Sequence, residues 1–68
     1  MKFTIEIEKE EDGRWITEIL EIPGVMTYGN SREEAIKKVK ALAFYMLAER
    51  IENDENISEI DMFFSIAA

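Results

Sequence analysis

Residues 21–35, EIPGVMTYGNSREEA, hold a proline-glycine turn, a short apolar run, a second glycine and a helix start in immediate succession. Pro23 fixes φ and lacks an N–H, and Gly24 accepts the positive φ that the third position of a type II turn requires, so the pair ends an extended segment. Val25 to Tyr28 then reads as a short strand. Gly29 and Asn30 close it, both being suited to left-handed backbone. Ser31 follows as an N-cap, Glu34 completes a capping box three residues on, and Glu33 and Glu34 sit at the positive end of the helix dipole. A chain punctuated in this way leaves a sheet and lays a helix back across it.

The flanking segments fit that plan. Phe3, Ile5 and Ile7 alternate with Lys2, Thr4, Glu6 and Glu8, the period of a strand with one buried face. Asp12-Gly13 marks a hairpin turn because both residues tolerate positive φ. A second strand is predicted from Arg14 to about Leu20, with Trp15, Thr17 and Ile19 on one face and Arg14, Ile16, Glu18 and Leu20 on the other. Both faces carry apolar residues, which suits a strand inside the sheet. The helix is predicted from about Arg32 to Ile51, where Ala35, Ile36, Val39, Leu42, Ala43, Met46 and Leu47 form one apolar stripe. The polar run ENDEN ends it. Ile57 to Ala67 alternates again, with Ile60, Met62, Phe64 and Ile66 opposed to Glu59, Asp61, Phe63 and Ser65, and predicts a fourth strand. The expected order is β-β-β-α-β, an α+β domain with one helix on one face of a small antiparallel meander.

Composition narrows the function. Sixty-eight residues form one domain with a small core, and association with a copy of itself, as dimer or tetramer, is expected to supply part of its stability. The absence of Cys and His removes thiol nucleophiles, zinc fingers and the commonest general base. Eight Lys and Arg against fifteen Asp and Glu give a net charge of −7, which repels phosphate backbones and steers basic proteins toward the chain. Charge of this size also serves solubility alone. The amino terminus does not resemble a signal peptide and no apolar run approaches about 20 residues, so a soluble, cytoplasmic protein without direct nucleic-acid or membrane binding is expected.

EDGRWITEILEIPGVMTYGNSREEA resembles the signature of the HicB family of antitoxins: the hairpin Gly13, an aromatic strand, an acidic residue two before Pro23-Gly24, then Gly29 and the Glu-Glu-Ala helix start after Ser31. Leu20 stands where the family often has proline, and Glu21 where aspartate is more usual; Pro23 and Gly24 keep the turn. The resemblance implies a partial RNase H-like fold. It also implies occlusion of a small basic HicA-type toxin, an mRNA-cleaving protein with a catalytic histidine. Many relatives add a helix-turn-helix or ribbon-helix-helix domain that binds DNA; a chain ending at Ala68 is expected to have none.

An RNase H-like fold directs attention to carboxylates. Glu6, Glu8, Glu49 and Asp61 are the candidates for two-metal nuclease chemistry, but Glu6, Glu8 and Asp61 alternate away from the apolar face and read as solvated. No catalytic residue, metal or cofactor is expected. Apolar residues outside the core are more informative. Ala41, Phe44 and Ala48 lie roughly opposite the helix stripe with Tyr45 on a flank, and Phe63 joins Ile16 and Leu20 as a second patch on the sheet, one for self-association and the other for a partner. Trp15 shares the phase of Thr17 and Ile19 and is expected in the core. The function implied is a non-enzymatic antitoxin-like interaction domain; the alternative is a homo-oligomeric regulatory or small-ligand module without a toxin.

Overall fold

The computed structural model describes residues 2–55, 58–61 and 63–67, and the order of its elements is β1 (Ile5–Lys9), β2 (Trp15–Ile19), β3 (Met26–Gly29), α1 (Arg32–Glu52) and a single turn of helix, α2 (Ser58–Asp61). The strands form an antiparallel meander in the order β1-β2-β3. Ile5 pairs with Ile19 and Ile7 with Thr17, so these residues share the face covered by α1. Glu6 pairs with Glu18, Glu8 with Ile16, and Ile16 in turn with Tyr28, on the face left open.

Each turn has a specific bond pattern. Gly13 N–H donates to Glu10 O at 3.0 Å and Glu10 N–H to Arg14 O at 2.7 Å. Gly13 has φ +92° while Asp12 stays at negative φ, so the glycine alone takes the left-handed position of the hairpin. At the second turn Val25 N–H donates to Ile22 O at 3.2 Å, and Gly24 has φ +88°, as a type II turn around Pro23-Gly24 requires. Its two ends, Ile22 and Val25, are fully buried. The turn therefore adds to the core.

Neither Gly29 nor Asn30 is at positive φ, contrary to the sequence expectation. Asn30 stands ahead of the Ser31 cap without a left-handed turn, and Gly29 has another role. It is glycine because the helix start comes so close: a Cβ there would lie 2.5 Å from Ala35 N and 2.9 Å from its Cα. Ser31 caps α1, its hydroxyl accepting from Glu34 N–H at 3.1 Å, while Glu34 accepts from Asn30 N–H at 3.3 Å. Beneath the first turn the buried Thr17 hydroxyl donates to Ala35 O at 3.0 Å and lies 2.9 Å from the Thr27 hydroxyl. At the other end Arg50 Nη2 donates to Pro23 O at 3.2 Å. The helix is thus fixed to the sheet at its first turn and to the Pro-Gly turn near its last. Ala35, Val39, Ala43 and Leu47 carry its buried stripe, with Leu42 and Met46 partly buried beside it against Ile19, Ile22 and Val25.

The helix ends in a Schellman arrangement. Glu55 N–H donates to Arg50 O at 2.9 Å and Asp54 N–H to Ile51 O at 3.2 Å, with Asp54 at φ +60°. The fourth strand expected from alternation is not formed by the described residues. Ile57 and Met62 of that segment lie outside them; residues 58–61 are helical, and Phe63 N–H to Ile60 O and Phe64 N–H to Asp61 O continue the turn. Local winding satisfies backbone groups of residues 58–61 and 63–64 within the segment itself and still lets Ile60 reach the core.

Gly29→Ala is expected to lower stability by about 1–3 kcal/mol in urea unfolding, since the added methyl meets backbone. Because that backbone is the obstacle, adding Ala35→Gly should not restore it. Asp54→Gly should raise stability by about 0.5 kcal/mol, read the same way, by relieving a left-handed conformation that glycine adopts freely.

Candidate interaction surfaces

Two surfaces stand out, and they lie on opposite sides of β1. The first is the open face of the sheet. Residues on it are set by the strand register in two rows, Glu8–Ile16–Tyr28 and Glu6–Glu18–Met26. Glu6 and Glu18 are directly opposed, an arrangement in which like charges repel. Among the described residues the ion pairs are Arg14–Asp12 at 2.7 Å and Lys38–Glu34 at 3.1 Å, and none of their cations pairs with Glu6, Glu8 or Glu18. Beside these carboxylates Met26 and Tyr28 are exposed and Ile16 is half-buried. The Arg14 guanidinium lies 4.6 Å from the Tyr28 ring centroid and closes one end of the patch.

The second surface is apolar. Between β1 and α1 a groove is lined by Phe3, Ile5, Ile19, Ala43, Phe44 and Leu47. Past Phe44 and Leu47 a further concavity is lined by Ala48, Ile51, Ile60, Phe63 and Phe64. The groove exists because α1 lies over β2 and β3 rather than over β1.

The residues singled out in the sequence divide between these surfaces differently from expectation. Ile16 and Leu20 face outward on the sheet. Phe63 does not join them: it lies with Phe44 and Ala48 beside α1, because the segment that carries it is turned rather than extended. Ala41 and Tyr45 are exposed elsewhere on α1 and line neither concavity. Ile51, Phe64 and Met26 were missed, although a helical wheel extended one turn further would place Ile51 beside Phe44. Trp15 is half-buried on the α1 side of the sheet, with Lys9 Nζ 5.7 Å from its ring centroid. Glu6 and Glu8 are on the open sheet face while Glu49 is exposed on α1, and among the described residues no group of three or more carboxylates gathers as a metal site would require. No helix among those residues is long and apolar enough to cross a membrane.

One carboxylate has a structural task. Glu21 accepts from Thr4 N–H at 2.7 Å and from the Thr4 hydroxyl at 2.8 Å, tying the start of β1 to the segment ahead of the Pro-Gly turn. These bonds, the backbone one foremost, hold its carboxyl below the ordinary glutamate range. In this chain the acidic residue ahead of Pro23-Gly24 therefore serves as a clamp between two strands' ends.

A meander covered on one face by a single helix, with an acidic open face and an apolar groove at its edge, defines a small α+β domain. The chain belongs to the UPF0150 family. It is 37% identical over 59 residues to a UPF0150 protein of Archaeoglobus fulgidus, covering 84% of this chain and 86% of that protein. A UPF0150 protein of Thermoplasma acidophilum is 32% identical over 56 residues, covering 81% of each. In fold the chain is similar to the N-terminal domain of the Burkholderia pseudomallei antitoxin HicB, whose crystal structure gives a TM-score of 0.78 over 100% of this chain and 74% of that one, at 24% identity. No protein-family model matches the sequence. The likeness read from the Pro-Gly, Gly and Glu-Glu-Ala spacing agrees with these relatives.

A carboxylate whose pKa is depressed in the folded state contributes stability above its unfolded pKa, and that contribution is lost as pH falls through the folded value. The urea midpoint is therefore expected to decline as pH drops below about 4. Glu21→Gln should make that decline shallower, because the variant has no carboxylate to protonate at the Thr4 clamp.

Proposed function

We propose that this protein is a non-enzymatic, antitoxin-like interaction domain of the cytoplasm that associates with itself and binds a small basic protein, of the HicA mRNA-cleaving type, through the open face of its sheet. The observation that carries the reading is the Glu6–Glu18 pair, held in register with Glu8 alongside and with no ion pair to a cation among the described residues. Like charges held together by strand pairing cost stability, and a basic surface laid on them removes that cost.

Ile16, Met26 and Tyr28 lie in the same two rows, so desolvated apolar contact is available beside the charge. Negative charge speeds encounter and the apolar residues slow release. Covering a toxin's cationic RNA-binding surface with this face would keep RNA away from it. The chain's own net charge of −7 acts in the same direction by repelling nucleic acid.

Affinity capture on the tagged protein from its own cells, at low and high salt with mass identification, tests the reading. One small basic protein is expected, bound at low salt and released as salt rises, because exposed charges are screened beyond about 8 Å at physiological ionic strength. Glu6→Lys/Glu18→Lys should weaken that binding about tenfold or more while leaving the circular dichroism spectrum unchanged. Salt-insensitive binding, or full affinity in the double variant, would remove the sheet face from the proposal.

A further inference from the structure

Among the described residues no strand pairs with the outer edge of β1, and polar groups of its backbone point outward from it. Leu20 N–H donates to Thr4 O and Glu10 N–H to Arg14 O, so the even-numbered residues of this strand bond to β2. By the alternation of an antiparallel ladder, the N–H and C=O groups of Ile5, Ile7 and Lys9 project to the free side. Directly beside them lies the groove lined by Phe3, Ile5, Phe44 and Leu47. An added strand at this place would find both backbone partners and an apolar bed for alternate side chains.

The chain itself carries a segment of that description. Residues 63–67, FFSIA, have no charge and alternate Phe64 and Ile66 against Phe63 and Ser65. In the isolated chain Phe64 is 71% exposed and Ile66 95% exposed. The segment therefore has strand periodicity, yet residues 63–67 form no strand.

Global dimensions show the same excess. The radius of gyration is 14.0 Å, against about 11 Å for a compact chain of 68 residues. The longest extent is 52 Å, well beyond the roughly 30 Å of α1. Accessible surface is 5285 Å², about 900 Å² more than the roughly 4,400 Å² of a compact monomer of 7.9 kDa. An interface of standard size buries roughly 800 Å² per partner, enough to cover a surplus of this size.

We infer that residues 63–67 of one copy add as a strand to the β1 edge of a second copy, with Phe64 and Ile66 seated in the groove beside Phe44, and that the exchange is reciprocal, giving a two-fold dimer. A second copy is the occupant that supplies an uncharged, strand-patterned segment at every encounter and has the matching open edge to receive one in return. The inference rests on the self-association proposed above and assigns it a place. It leaves the acidic face of the sheet free for the basic partner.

The test is the mass of the full chain by light scattering, combined with amide hydrogen exchange. Wild type is expected at twice 7.9 kDa, with the Ile5, Ile7 and Lys9 amides exchanging at least about tenfold more slowly than in a monomeric variant. Ile66→Asp and Phe64→Asp on the donor segment, and Phe44→Asp on the receiving groove, should each give folded monomers with those amides unprotected. Because Ile66 is 95% exposed, its substitution tests pairing without threatening the core. A dimer whose β1 amides exchange freely, or one that survives Ile66→Asp and Phe64→Asp, would overturn the strand exchange while leaving self-association standing. A monomer at every concentration would overturn both, and protected amides in a monomer would show that the segment folds onto its own edge.

Discussion

The close approach of α1 to the end of β3 sets the geometry of everything else. Gly29 leaves no room for a Cβ against Ala35, and the Thr17 hydroxyl reaches across from the central strand to bond the Ala35 carbonyl. Ala35 is fully buried and so is Thr17, which makes this a polar contact inside the core with its partners satisfied. Once the first helical turn is fixed there, the stripe of Val39, Ala43 and Leu47 falls over Ile19, Ile22 and Val25, and Arg50 arrives at the Pro-Gly turn. The same placement leaves β1 less covered than its neighbours, and the apolar groove is the result.

Much of this was legible in the sequence because it depends on local rules. The Pro23-Gly24 turn, the Ser31 cap and the apolar stripe of α1 each rest on residues within a few positions of one another, and all three are formed. Gly29 was legible as a necessary glycine but not for its actual reason. Positive φ is a local property, whereas contact with Ala35 depends on the angle at which the helix returns, which no periodicity encodes. The Glu21 clamp on Thr4 likewise joins positions 17 residues apart, and only the motif pointed to the acidic residue.

The carboxy-terminal segment was misread for a different reason. Alternation reports which side chains could share a face; it does not report whether the backbone will be satisfied by pairing with another strand or by winding on itself. Ile60 illustrates the ambiguity, being buried in the core from a helical turn where a strand had been expected. Phe63 was assigned to the wrong surface by the same error. The acidic open face was legible as alternation of Glu6 and Glu8, but the opposition of Glu6 to Glu18 required the register, and register follows from the length of the Glu10–Arg14 turn rather than from the strands themselves.

The two-residue link between β3 and α1 has a consequence for how this chain can vary. Asn30 and Ser31 are all that separates Gly29 from Arg32, and both ends are fixed, one by strand pairing and the other by the Ala35 contact. A single inserted residue there would rotate the helix by about 100° and turn its apolar stripe out of the sheet. The tip of the first hairpin is under no such constraint: Glu11, Asp12 and Gly13 are exposed, and Gly13 has open space where a side chain would begin. Length changes among proteins of this fold should gather at that tip, which is also where a reporter loop could be accommodated with least disturbance to the acidic face or the apolar groove.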